Sequence, residues 1–196
     1  NIAVMTSYMC MFTNGILLPL FLQEIVKYNA FLTGLLILPY SIASSAVAPF
    51  AGSYAGKNGS RGLTIAGPCI YILALVIFTT FNPSTPMWEI VLASVIMGIG
   101  NGCFQSPSNN AIITCVNKDE LGIASGILSL SRNLGNILGV AVTITLFDSF
   151  RNLLIEEGTK YQTAFLTSYH WTMCFGIAFG LTCLICSAIA YTPEKS

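Results

Sequence analysis

Residues Leu18–Gly62 read LPLFLQEIVKYNAFLTGLLILPYSIASSAVAPFAGSYAGKNGSRG. An apolar run closes at Gln23, a short polar turn carries Glu24 and Lys27, and a second apolar run extends from Ala30 to about Ala55. A charge-free stretch of that length has no place in the core of a soluble domain. It suits lipid, where crossing the hydrocarbon takes roughly 20 apolar residues. The second run is crowded with small side chains: Gly34, Ala43, Ser44, Ser45, Ala46, Ala48, Ala51 and Gly52. Such residues let helix backbones approach closely where no hydrophobic drive pulls helices together. The tight loop that follows holds Lys57 and Arg61, the mark of a side retained in the cytoplasm.

Working outward, the whole chain has the same character. Of 196 residues, 54% are apolar and 8% charged, against roughly 25% charged in a soluble domain. So few charges cannot clothe a globule, and the expected environment is the lipid bilayer. A formal net charge of zero gives no footprint for nucleic acid. Cys10, Cys69, Cys103, Cys174, Cys183 and Cys186 fall inside apolar runs, and Cys115 lies near a run's end. They read as small packing residues, including the C-x-x-C pair Cys183/Cys186. One histidine and no mid-span carboxylate leave nothing for a catalytic site, a metal or a cofactor. No loop is long and apolar enough to be a channel filter. There is no cleavable signal peptide. The chain starts at Asn1 directly in an apolar run and reads as a fragment of a longer protein.

Six spans follow from hydropathy: about 2–22, 30–55, 63–81, 87–116, 122–147 and 165–191. Ser60 is the expected N-cap of the third. Asn82-Pro83-Ser84-Thr85-Pro86 is a turn, since two prolines so close stop a helix. Asp148–Tyr161 carries Arg151, Glu156, Glu157 and Lys160 and is expected to be solvated, as a loop or a short interfacial helix. An even number of spans puts both ends on one side. If Lys57 and Arg61 are cytoplasmic, so are Lys118 and Lys195, with Lys27, Arg151 and Lys160 outside. Trp88, Tyr169 and Trp171 are expected in the outer aromatic belt.

The motifs L-P-L-F-L-Q (Leu18–Gln23), A-F-L-T-G-L-L-I-L-P (Ala30–Pro39), A-P-F-A-G (Ala48–Gly52) and G-S-Y-A-G-K-N-G-S-R (Gly52–Arg61) resemble the major facilitator superfamily. M-G-I-G-N-G-C-F-Q-S-P (Met97–Pro107) and A-S-G-I-L-S-L-S-R-N-L-G-N-I-L-G (Ala124–Gly139) continue the resemblance in order. It is greatest to the C-terminal half of the fourteen-span drug:proton antiporters. The resemblance implies an all-α six-helix bundle, residues 1–196, made of two inverted three-helix repeats. It implies a second, N-terminal bundle in the same full-length chain, a location in the plasma membrane, and proton-coupled export of small amphipathic compounds. A six-span half-transporter working as a homodimer, or a carrier of another small solute, is the alternative. Gly52, Lys57, Gly59 and Arg61 fill places of the family's cytoplasmic gating loop, while its Asp place holds Gly56.

Polar residues inside the spans are the candidate cavity. Arg132 lies about ten residues into the fifth span, roughly 15 Å along the axis. An arginine there costs at least about 2.5–3.5 kcal/mol unless it faces a polar cavity or a partner. Asn136 and Thr143 follow near its face. Asn101, Gln105 and Asn109 step by four along the fourth span, and the resemblance makes the first and fourth spans cavity-lining, which adds Asn14. Interhelical hydrogen bonding is the competing reading of the stripe. The G-x-x-x-G pairs Gly98/Gly102, Gly122/Gly126 and Gly135/Gly139 are expected to pack helices closely within the bundle. His170, beside Tyr169 and Trp171, reads as an interface residue.

Overall fold

A computed structural model describes residues 2–114, 116 and 120–190. Six helices follow one another: α1 (Ile2–Glu24), α2 (Ala30–Asn58), α3 (Arg61–Phe78), α4 (Met87–Thr114), α5 (Leu121–Glu156) and α6 (Tyr161–Ala190). Each is long and apolar enough to cross a membrane. Cys115 and Lys118, and the tail with Lys195, lie outside the described residues.

Three boundaries differ from expectation, each for a local reason. The reversal between α2 and α3 is only Gly59 and Ser60. Gly59 makes it possible, with φ 86° and its N–H on the Ala55 carbonyl at 3.0 Å, a conformation that a residue without Cβ adopts freely. Lys57 therefore belongs to α2 and Arg61 to α3. Ser60 makes no side-chain cap; its carbonyl instead accepts the Thr64 N–H at 3.0 Å and the Thr64 hydroxyl at 2.9 Å. The third difference is the largest. Asp148–Glu156 is neither loop nor separate helix but the continuation of α5. No proline or glycine interrupts it until Gly158, which has φ 82°. At 36 residues, α5 is about 54 Å long and outreaches a hydrocarbon layer of ~30 Å.

Packing follows a two-fold pattern. Helix α4 is wedged against α2 and α3, and α1 against α5 and α6. Exchanging α1–α3 with α4–α6 carries the first set of contacts onto the second, as inverted repeats require. Glycines set the spacing. A Cβ at Gly98 would strike the Tyr40 carbonyl, and one at Gly102 would lie 2.9 Å from the Ser44 carbonyl, both on α2. Gly100, about 200° round the helix from Gly98, faces α3 instead, where a Cβ would stand 2.7 Å from the Tyr71 nitrogen. On α5, a Cβ at Gly135 would come within 2.5 Å of the Met5 carbonyl and one at Gly139 within 2.8 Å of the Met9 Cα.

Gly122 and Gly126 depart from expectation: a Cβ at either meets nothing within 4 Å.

Buried rings fasten one end of the bundle. Phe21 stacks on Tyr169 at 5.0 Å, and Phe78 meets Phe81 edge-on at 5.0 Å. Tyr169 is thus a core residue, not part of an aromatic belt, whereas Trp88 and Trp171 are exposed. His170 Nε2 lies 3.1 Å from the Phe81 carbonyl, tying α6 to the end of α3. Thr13 and Thr143 share a hydrogen bond of 2.9 Å between α1 and α5.

Candidate functional site: a cleft between α1, α2 and α4

A cleft of about 360 Å³ opens where α1, α2 and α4 meet. Its depth follows from helix register. Asn14 stands ten residues before the end of α1 at Glu24, Tyr40 ten residues after Ala30, and Met97 ten residues after Met87. All three helices have these termini on the same side of the bundle. The three residues are therefore about 15 Å from it, half-way through ~30 Å of hydrocarbon.

The walls are apolar: Met11, Phe12 and Ile16 from α1, Ile37 and the Tyr40 ring from α2, Met97 from α4. Among the described residues, no charged side chain lines the cleft. Besides the Tyr40 hydroxyl, the polar side chains lining it among the described residues are Asn14 and Ser94. Asn14 is 8% exposed and Ser94 1%. The Asn14 Oδ1 and the Ser94 Oγ are buried with no hydrogen-bond partner among the described residues. Each such group costs about 1–3 kcal/mol.

The other candidate residues are placed elsewhere. Asn101 donates from its amide to the Ser44 hydroxyl at 2.9 Å, joining α4 to α2. Gln105 donates to the Tyr8 hydroxyl, joining α4 to α1. Both spend their amides on helix contacts outside the cleft. Asn109, a turn further on, is half-buried. Arg132 and Asn136, one turn apart on α5, are half-buried too, and the Arg132 Nε and Asn136 Oδ1 have no partner among the described residues. Lys57 and Arg61 are exposed at their end of the bundle. Gly52 faces α4, where a Cβ would lie 2.6 Å from the Ser106 hydroxyl.

Sequence reasoning missed Ser94, although a signal existed. Ser94, Asn101 and Gln105 recur at i, i+7 and i+11, the spacing of one helical face. It also missed that continuing α5 brings Asp148 and Arg151 into a helix. They pair at 2.8 Å, with the guanidinium 5.4 Å from the Phe147 ring centre. Together with Glu24 they edge a second cleft of about 330 Å³ between α1, α5 and α6.

Six membrane-length helices in two inverted triplets define a multi-pass membrane fold. Residues 1–196 match the profile of the Major Facilitator Superfamily, and the chain belongs to that family. Among curated proteins it is similar to the riboflavin transporter RibZ of Clostridioides difficile, 26% identical over 83% of this chain and 35% of that protein. It is also similar to the multidrug resistance protein Stp of Mycobacterium tuberculosis, 30% identical over 69% of this chain and 25% of that protein. The chain thus spans about a quarter to a third of the length of these relatives. A solved bacterial homologue of the human drug peptide transporters PepT1 and PepT2 superimposes with a TM-score of 0.72. It is 16% identical, over 99% of this chain and 42% of that one, a likeness of fold.

Proposed function

We propose that the chain is the C-terminal lobe, residues 1–196, of a secondary transporter that exports small amphipathic compounds in exchange for protons. The observation that carries this reading is the uncharged cleft at mid-depth, bounded by the first, second and fourth helices. A compound held there is far from water on both sides, which is what alternating access needs. The second lobe of the same chain closes the remaining wall, and rocking between lobes exposes the site to one side at a time.

Asn14 touches the compound. Arg132, Asn136 and Asn109 face the space between the lobes. Asn101 and Gln105 hold α4 in position. Gly52, Lys57, Gly59 and Arg61 form the joint between α2 and α3, and its two cations support a reading in which this joint and both ends of the lobe are cytoplasmic, with the protein in the plasma membrane. Among the described residues no carboxylate sits at mid-depth, so proton exchange falls to the other lobe. The multidrug resistance relative supports export of drugs. The riboflavin relative supports a second reading, transport of a neutral ring-bearing solute.

The test uses everted vesicles carrying the full-length protein and an acid lumen. They should accumulate at least one of chloramphenicol, riboflavin and ethidium, and collapse of the proton gradient should abolish uptake. Arg132→Ala should slow uptake about tenfold at equal protein level. No gradient-driven uptake of any of the three would overturn the reading.

A further inference from the structure

Resting on the transporter reading, we propose that the α1–α2–α4 cleft is a subsite for an uncharged ring. The ring would present one hydrogen-bond donor to Asn14 and a second polar atom to Ser94. Four observations converge on this chemistry. First, the Asn14 Oδ1 and Ser94 Oγ are both more than nine-tenths buried, line the same cleft and have no partner among the described residues. A buried polar atom without a partner is costly, so a ligand that bonds both removes a penalty already present in the empty lobe. Neighbouring amides show that this helix face finds partners where they exist: Asn101 bonds Ser44 and Gln105 bonds Tyr8.

Second, the walls suit a ring. Two thioethers, Met11 and Met97, and two aromatic side chains, Phe12 and Tyr40, surround the polar pair. Thioethers are polarizable and adapt to irregular shapes, and aromatic faces stack or meet a ring edge-on. Third, the cleft contains no charge among the described residues to pair with one. A cation or an anion seated at mid-depth would be desolvated without a counter-ion, which is far more costly than losing a neutral hydrogen bond. Fourth, a volume of about 360 Å³ is at the small end for a drug site. The cleft therefore takes one ring system with its polar edge. The rest of a larger compound would extend into the space between the lobes.

The test is equilibrium binding to purified full-length protein in nanodiscs. The probes are chloramphenicol, an uncharged aromatic amide, and tetraphenylphosphonium, a lipophilic cation without donors. Chloramphenicol should bind more tightly than the cation. Asn14→Leu and Ser94→Ala should each raise its Kd about tenfold, while Thr182→Val, on the exposed face of α6, should leave it unchanged. Asn14→Asp, close to isosteric, should reverse the order of the two probes even if the leucine variant fails to fold. The inference is overturned if the wild type prefers the cation, if neither probe binds, or if the Kd for chloramphenicol is indifferent to Asn14 and Ser94. An equal effect of Thr182→Val would overturn it too, because the losses would then be general. Chloramphenicol bound through Asn14 and Ser94 but never carried by vesicles would remove the export reading and leave the subsite. Gradient-driven uptake with binding unaffected by either substitution would do the reverse.

Discussion

The exchange of repeats that maps α1, α2 and α4 onto α4, α5 and α1 pairs two regions of the lobe. The first is the cleft beside Asn14 and Ser94. The second is the contact of α1 with α4 and α5, where Gln105 reaches the Tyr8 hydroxyl and Gly135 rests against Met5. The helices meet alike in both. The polar atoms do not. In the first region two buried acceptors stay open; in the second the amide is closed by a tyrosine. A symmetric backbone can therefore carry an asymmetric site. Close packing is repeated because both helix pairs need it, while the pair of unspent polar atoms that lines a mid-depth cleft, Asn14 Oδ1 and Ser94 Oγ, stands on one side.

The largest effect expected from this comparison concerns the packing that the two regions share. Gly98→Leu and Gly135→Leu should each lower stability by about 3 kcal/mol, since a side chain there meets backbone that cannot move aside. Thr182→Leu, on the exposed face of α6, should cost nothing measurable. Thermal melting of the detergent-solubilised full-length protein reads all three, and a loss confined to one helix pair would break the symmetry. Next come changes of opposite sign. Ser94→Ala, which deletes an unpartnered hydroxyl, should raise the stability of the ligand-free protein by about 1 kcal/mol. A fall in melting temperature would show that the hydroxyl is already satisfied. The smallest effect belongs to the closed side. Tyr8→Phe should lower stability by about 0.6 kcal/mol, a typical interhelical hydrogen bond in a membrane, and an increase would erase the contrast.

Much of the architecture was legible because lipid imposes a simple rule. Six apolar runs of sufficient length announce six spans, and the double-proline turn separates the third from the fourth. The ends were less legible. Hydropathy stops reporting once a helix leaves the hydrocarbon, so the charged turns of α5 from Asp148 onward looked like loop although nothing in them breaks a helix. The sharp reversal at Gly59 depends on one dihedral angle, and composition around it suggests a longer connection. Among candidate site residues, periodicity revealed the stripe of Asn101, Gln105 and Asn109 but not their partners. Ser44 and Tyr8 sit 57 and 97 positions away in the chain, and that proximity is created by tertiary packing. Ser94 was harder to pick out than the amides, because only its i, i+7 and i+11 spacing with Asn101 and Gln105 sets it apart from the other serines in the spans. The glycine pairs divide for the same reason: spacing shows that a face is smooth, and only the register between helices decides whether anything lies against it.

The unbroken length of α5 has a mechanical consequence. A stiff rod longer than the slab it crosses acts as a pointer. When the lobe tilts, its tips sweep through a wider arc than any helix end that stops at the lipid boundary. A distance label near Glu156 would therefore register a small angular swing as a large displacement, and would do so in water, where a probe does not disturb the sealed interior.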